Sequence, residues 1–293
     1  MVNIQDIQFL RQETGAGIMD CKNALSEANG NLQQSIAILQ EKGFQMAKKK
    51  ADRPVMEGIA YAEVYGNRAV LLEVNTETDF VASNNEFICC VGEIAKTTAK
   101  YTPNDIPSLL ECTIEGKDLT VDKLLKKMVL TFGENIVIRR FNILYGDIPI
   151  AYMHQNGKYG VILTLAVYNK LDNVRVYGIG KELAMQIAAM NPKFISRFHL
   201  SNETIAEIKI QIIKEIKQDM NLANKSPLLI DKIVSGKIEK FYNLNCLMEQ
   251  TYIRDDSITV EQFIQKAIDG LNVQIDVTDF FRYEKSEDLQ IKK

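Results

Sequence analysis

The chain has 293 residues, 46% of them apolar and 25% charged, with 35 Lys and Arg set against 38 Asp and Glu. That length points to two or three compact units, and the apolar content is ample for a buried core, which argues against wholesale disorder. A formal net charge of −3 argues against direct nucleic-acid binding, because proteins that coat nucleic acid gather Lys and Arg to neutralise several phosphates.

The five cysteines (Cys21, Cys89, Cys90, Cys112 and Cys246) are odd in number and irregularly spaced, which reads as reduced thiols in a cytosol. Met1 to Arg11 lacks the basic segment and apolar run of a signal peptide. No stretch approaches the roughly eighteen apolar residues that a membrane span needs. The expectation is a soluble, cytoplasmic protein with no membrane contact.

In chain order, Ile4, Ile7 and Leu10 recur at helical spacing until Thr14-Gly15-Ala16-Gly17 breaks the run. A second helix carries Ile18, Cys21, Leu25 and Ala28 and ends at Asn29-Gly30. A third starts at Asn31 as N-cap, carries Leu32, Ile36 and Leu39, and is expected to stop at Gly43. Lys48-Lys49-Lys50 with Asp52-Arg53-Pro54 then reads as a linker, its lysines solvated.

Beyond the linker the pattern repeats. Ile59–Asn75 aligns without gaps on Ile150–Ala166, with Ile59, Ala60, Tyr61, Gly66, Val70 and Leu72 matched by Ile150, Ala151, Tyr152, Gly157, Val161 and Leu163. Each copy reads as a β-hairpin with a glycine in its turn. A helix follows each hairpin, in which Ala95, Ala99 and Pro103 correspond to Ala184, Ala188 and Pro192. A strand-like run closes each half, Asn135–Tyr145 and then Val273–Tyr283.

Before its closing strand the second half carries an insertion. Ile205, Ile208, Ile212 and Ile216 stripe one helix over Ser201–Met220, Ser226-Pro227 marks a turn, and Ile230, Val234, Ile238 and Phe241 stripe another. These stripes could pack on each other or on a second copy of the chain, so a homodimer through the hairpin is left open. A later helix has its start signal at Thr259, with Gln262 at the capping-box position. The expected class is α+β: a three-helix module over 1–53, a linker at 54–57, one core subdomain over 58–146 and a second over 147–293, with the helical hairpin inserted at about 195–242.

Chemistry is harder to find. The two histidines, His154 and His199, have no Cys or carboxylate at metal-ligand spacing, and no metal or cofactor of the chain's own is expected. Cys89-Cys90 with His154 would make a thiol pair only if both cysteines faced one way, and neighbours on a helix do not. Gly178-Ile179-Gly180-Lys181 lacks the spacing of a phosphate cradle. The unusual segment is Asn75-Thr76-Glu77-Thr78-Asp79-Phe80-Val81, where an apolar strand ends and a carboxylate sits beside a large aromatic. Two readings stand: Thr78 or Asp79 caps the next helix while Phe80 tucks into the core, or Phe80 is an exposed wedge for a partner's pocket.

Three stretches carry a resemblance to a known family. They are Thr14–Leu25, Glu73–Val81, and Gly133–Arg140 followed by Tyr152-Met153-His154 and Gly157. In these, and across nearly the whole chain, the sequence resembles the elongation factor Ts family. The resemblance implies an N-terminal module of ubiquitin-associated type, two similar α+β subdomains and a helical hairpin inserted in the second. It implies guanine-nucleotide exchange on the GTPase elongation factor Tu by a protein without an active site of its own. It further implies that Asp79 and Phe80 intrude beside the GTPase's Mg²⁺ site, that Thr78 and Val81 fix them, that the His154 region braces another domain of the GTPase, and that Ile18 and Met19 dock near its guanine pocket. The family's Pro-Phe-Val is Thr251-Tyr252-Ile253 here, so a contact through Ile253 is expected to be weaker or reshaped, and Ser83 replaces a frequent Lys. A C-terminal helical module found in some members is expected to be missing after the closing strand. Thr278-Asp279-Phe280 repeats the letters of the wedge inside that strand, where Phe280 or Phe281 is expected in the core. An adaptor built on the N-terminal bundle and a thiol enzyme are the two rival classes.

Overall fold

Short polar side chains start most of the described helices, and glycines end two of them. Asn3 accepts from the Gln5 amide and Asn31 from the Gln34 amide, while Gly15, at φ 72°, closes the first helix. The computed structural model describes residues 2–168, 173–218, 226–269 and 273–288. Three helices, α1 (Ile4–Thr14), α2 (Ile18–Glu27) and α3 (Leu32–Lys50), pack through Leu10, Cys21, Leu25 and Leu39.

The third helix does not stop at Gly43 but runs on to Lys50. A glycine ends a helix when the chain needs a left-handed residue. Gly43 instead serves packing: a Cβ there would lie 3.1 Å from the Lys126 carbonyl oxygen. Lys48, Lys49 and Lys50 occupy the last helical turn and not a linker, where their charge complements the helix dipole.

The core follows with β1 (Glu57–Tyr65), β2 (Arg68–Thr76), α4 (Asp79–Ala82), α5 (Asn85–Tyr101), α6 (Ile106–Glu111), α7 (Val121–Phe132) and β3 (Ile136–Tyr145). Strands β1 and β2 are antiparallel, with Tyr65 opposite Arg68 across a two-residue loop that contains Gly66 at φ 65°. The sheet order is β1-β2-β3, and α5 and α7 bury Phe87, Val91, Ile94, Leu124 and Met128 with Ile59, Val70, Leu72 and Val74.

The second copy contains β4 (Ile148–His154), β5 (Tyr159–Tyr168), α8 (Asn173–Met190), α9 (Asn202–Gln218), α10 (Pro227–Asn245), β6 (Thr251–Tyr252), β7 (Asp255–Thr259), α11 (Val260–Ile268) and β8 (Gln274–Glu284). Its three-stranded sheet has the order β4-β5-β8. In both copies the closing strand pairs with the second strand of the hairpin, and Leu72 and its match Leu163 are both fully buried. The fold is α+β, three N-terminal helices followed by a duplicated core with a helical hairpin. The hairpin's stripes face one another, with Ile205, Ile208, Ile238 and Phe241 packed around Tyr242. Asp219 and Met220, expected at the end of α9, lie outside the described residues. Thr259 and Gln262 form the anticipated capping box at α11. Phe280 and Phe281 are half-buried on β8 and not in the core, which on this strand is filled by Ile275, Val277 and Tyr283.

By its contacts the chain forms two compact units. One comprises Met1–Ile143, Met153–Gly160 and Tyr283–Lys293; the other comprises Leu144–Tyr152 and Val161–Arg282. The tip of the second hairpin therefore belongs with the first unit. Ala60 donates to the Gly157 carbonyl at 2.8 Å, and a Cβ on Gly157 would fall 2.2 Å from Ile59 Cγ1. Gly160 likewise leaves room for the Ala60 carbonyl oxygen, 2.6 Å from where its Cβ would be. Among the described residues, no helix is long and apolar enough to cross a membrane.

Candidate functional site

Strand β2 is buried along nearly its whole length, on both faces of the sheet. One of its residues is a carboxylate. Glu73 has no exposed surface and meets Arg140 Nε at 2.6 Å and Arg139 Nη1 at 3.2 Å, while the Ser286 amide donates to it at 2.7 Å. A carboxylate taken out of water needs such partners. Arg140 in turn stacks over the Tyr283 ring, 3.8 Å from its centroid, and pairs with Glu287. Burial pushes the Tyr283 hydroxyl well above its ordinary range, against the pull of Arg140.

At Thr76 the strand ends and the chain turns into the single helical turn α4. Thr78 is extended, at φ −125° and ψ 156°, and its hydroxyl faces the Val81 amide as N-cap. Ser83 closes the turn, its hydroxyl donating to the Asp79 carbonyl at 2.7 Å. Successive residues of one turn point about 100° apart, so two can face inward only if two face out. Ala82 is buried and Val81 packs against the core, whereas Asp79 and Phe80 are exposed, Phe80 by 84%. Of the first sequence reading the cap holds and the buried ring does not: Thr78 caps, and Phe80 is outside.

The corner between α7 and β3 holds this turn. Glu134 Oε2 accepts from the Thr76 hydroxyl at 2.7 Å and the Thr78 amide at 3.0 Å, and Oε1 accepts from the Thr78 hydroxyl at 2.6 Å. In the reverse direction the Asn135 amide donates to Glu77 Oε1 at 2.7 Å. The Asn135 side chain reaches the Arg53 carbonyl at 2.9 Å, tying the segment after α3 to the same corner. Burial raises the Glu134 carboxyl, but the hydrogen bonds from Thr78 and Thr76 outweigh it and hold the group below its usual value.

The remaining expected contacts are spread over the molecule. Ile18 and Met19 lie in the first turn of α2 with 56% and 63% of their surfaces exposed. His154 is exposed at the end of β4, its ring 6.2 Å from that of Tyr159. Gln155, Asn156 and Gly157 then take φ of 48°, 53° and 83°, three left-handed residues in succession. Ile253 belongs to the second unit, exposed between β6 and β7, with its amide donating to Gln186 Oε1 at 2.9 Å. The replacement of Pro-Phe by Thr251-Tyr252 has a local answer. Tyr252 is buried, stacked on Phe263 at 4.3 Å, and its hydroxyl donates to Glu182 at 2.8 Å. Burial and that carboxylate push its pKa up to about 12.

The cysteines do not assemble into a reactive pair. Cys89 is exposed while Cys90 is half-buried against the core, its thiol pushed up to about 11 mainly by burial, so little thiolate exists at neutral pH. Gly178 and Gly180 lie within α8, where Gly180 makes room for Ile150. Among the described residues, no group of three or more His, Cys, Asp or Glu is placed to hold a metal ion. Sequence reasoning assigned no job to Glu134 or Glu73. A carboxylate inside an apolar strand, and two acids each flanked by hydroxyl or amide residues, were the available signals.

Comparison with known proteins gives the family. The family model described as Elongation factor TS matches residues 77–287. The elongation factor Ts of Syntrophotalea carbinolica is 37% identical over 288 residues, covering 97% of this chain and 93% of that protein. The elongation factor Ts of Clostridioides difficile is 36% identical, with 99% of this chain and 95% of that protein covered. That of Clostridium tetani is 34% identical over all of this chain and 96% of its own length. The chain belongs to the elongation factor Ts family.

Proposed function

We propose that this protein releases guanine nucleotide from elongation factor Tu during translation elongation, with Asp79 and Phe80 as the intruding pair. The observation that carries the reading is an aromatic side chain, 84% exposed, standing on a turn that is fastened at both ends. Phe80 offers nearly its whole ring to a partner, and aromatics that become buried dominate the energy of protein interfaces. Family membership supplies the partner.

The intrusion acts by coupling. Whatever factor by which this chain lowers nucleotide affinity, nucleotide lowers the chain's affinity by the same factor. A change of about 10⁴ needs ~5.5 kcal/mol of differential interaction. Surface ion pairs contribute too little, roughly 0–1 kcal/mol each. A desolvated ring combined with a disturbed Mg²⁺ site on the GTPase supplies the difference, since the bound cation is the largest charge there. Thr78 and Val81 hold the pair at the strand end. Ile18, Met19, the His154 turn and Ile253 act as braces against which the ring pushes, and none of this requires a nucleotide cradle or metal on the chain itself.

The test is release of a fluorescent GDP from purified elongation factor Tu with and without the protein. Acceleration is expected, and a rate unchanged at saturating protein overturns the proposal.

A further inference from the structure

We infer that Glu134 is a positioning residue for exchange: its carboxylate sets the direction of Phe80 by clasping both residues that lead into the turn. This inference rests on the exchange reading and adds a residue to it. Four observations converge on Glu134. It accepts hydrogen bonds from the Thr76 hydroxyl, the Thr78 amide and the Thr78 hydroxyl, all between 2.6 and 3.0 Å. Its own backbone is fixed, because Gly133 ends α7 at φ 71° and Asn135 donates back to Glu77 at 2.7 Å. Asn135 is further tied to the Ala51 and Arg53 carbonyls, and Lys50 donates to the Gly133 carbonyl. Finally, the helix that bears Phe80 has only four residues and is too short to hold its own orientation.

The physical consequence is preorganisation. Without the clasp, Thr76 to Phe80 keeps only the Asn135–Glu77 hydrogen bond between a rigid strand and the Val81–Ala82 anchor, and the ring samples more directions. Each direction other than the productive one must be abandoned on binding, which weakens only the step that depends on the ring. The braces at Ile18, His154 and Ile253 lie on other elements and do not need Glu134. Loss of the clasp therefore lowers the maximal rate of nucleotide release while leaving the concentration for half-saturation nearly unchanged. A purely structural defect does the opposite: it removes active protein and shifts apparent half-saturation without changing the maximum.

The chain contains no tryptophan, so Phe80→Trp installs a single reporter at the wedge. Time-resolved anisotropy of that indole is expected to show restricted local motion, and adding Glu134→Ala is expected to free it. Glu134→Gln keeps an acceptor for the Thr76 hydroxyl and the Thr78 amide, and its amide nitrogen reverses the bond to the Thr78 hydroxyl, which can accept as well as donate, so it is expected to preserve both restriction and exchange. In the fluorescent GDP assay Glu134→Ala is expected to lower the maximal release rate by on the order of tenfold, with half-saturation within about twofold and Glu134→Gln near wild type. Thr76→Val, which removes one bond of the clasp at little change in shape, is expected to move both readouts the same way by less. It decides the matter should Glu134→Ala fail to fold. An unchanged maximal rate or unchanged indole motion in Glu134→Ala, or in Thr76→Val where it stands in, overturns the inference. If the wild type itself accelerates nothing, the exchange reading falls instead, and the anisotropy comparison still reports whether the clasp orients the turn.

Discussion

Phe80 and Glu73 are physical opposites: one side chain faces water, the other is wholly enclosed, and their substitutions should behave oppositely. Phe80→Ala removes a ring that contributes little to the core, so unfolding in denaturant should stay within about 0.5 kcal/mol of wild type while nucleotide release slows sharply. Glu73→Ala leaves Arg139, Arg140 and the Ser286 amide without their shared acceptor inside the protein. The two guanidinium groups keep some access to solvent, so the expected destabilisation is about 3 kcal/mol, the lower end for breaking a buried pair, read from the same unfolding curves.

Glu134 gives the residue scale a pH signature. Its carboxyl is lower in the folded protein than in the unfolded chain, so its contribution is fully present above the ordinary carboxylate value of about 4.3. That contribution is lost as pH falls through the folded value. The Thr78 amide resonance should titrate with a midpoint below about 4.3, and Glu134→Gln should abolish that titration. The sequence made Asp79 and Phe80 conspicuous, because a charge and an aromatic together at a strand end are unusual. It left Phe80's direction undecided, since a ring beside a helix cap fits core and surface equally well. Glu134 was illegible as a clasp because its partners lie far away in the chain.

Among the elements, the turn after β4 places three left-handed residues in succession. Gly157 combines φ 83° with a Cβ position 2.2 Å from Ile59. Gly157→Ala should therefore cost about 2 kcal/mol or more, from the left-handed backbone and the clash together, and should displace the His154 turn from β1. A chemical-shift comparison confined to the β1 and β4–β5 residues would check the location. Helical periodicity, turn glycines and caps revealed most elements, including the capping box at Thr259 and both hairpins. The end of α3 was misread because a glycine has two uses. Only the three-dimensional approach of Gly43 to the Lys126 carbonyl distinguishes close packing from termination. The half-buried Phe280 and Phe281 have the same origin: alternation along β8 identifies the strand, but not how completely each face is covered.

For the whole molecule, the repeat in sequence became two sheets of equivalent order, β1-β2-β3 and β4-β5-β8. An Asp-Phe pair follows the first hairpin only; the sequence between the second hairpin and α8 contains none. The proposed exchange predicts a reciprocity at the scale of the whole molecule: elongation factor Tu loaded with GDP should bind the protein more weakly than the nucleotide-free form, by the same factor that the protein lowers GDP affinity. The most direct test compares the wild type with Asp79→Ala/Phe80→Ala at saturating concentration in stopped-flow release of fluorescent GDP. The account predicts fast release by the wild type and near-intrinsic release by the folded double variant; equal acceleration by both proteins would contradict it.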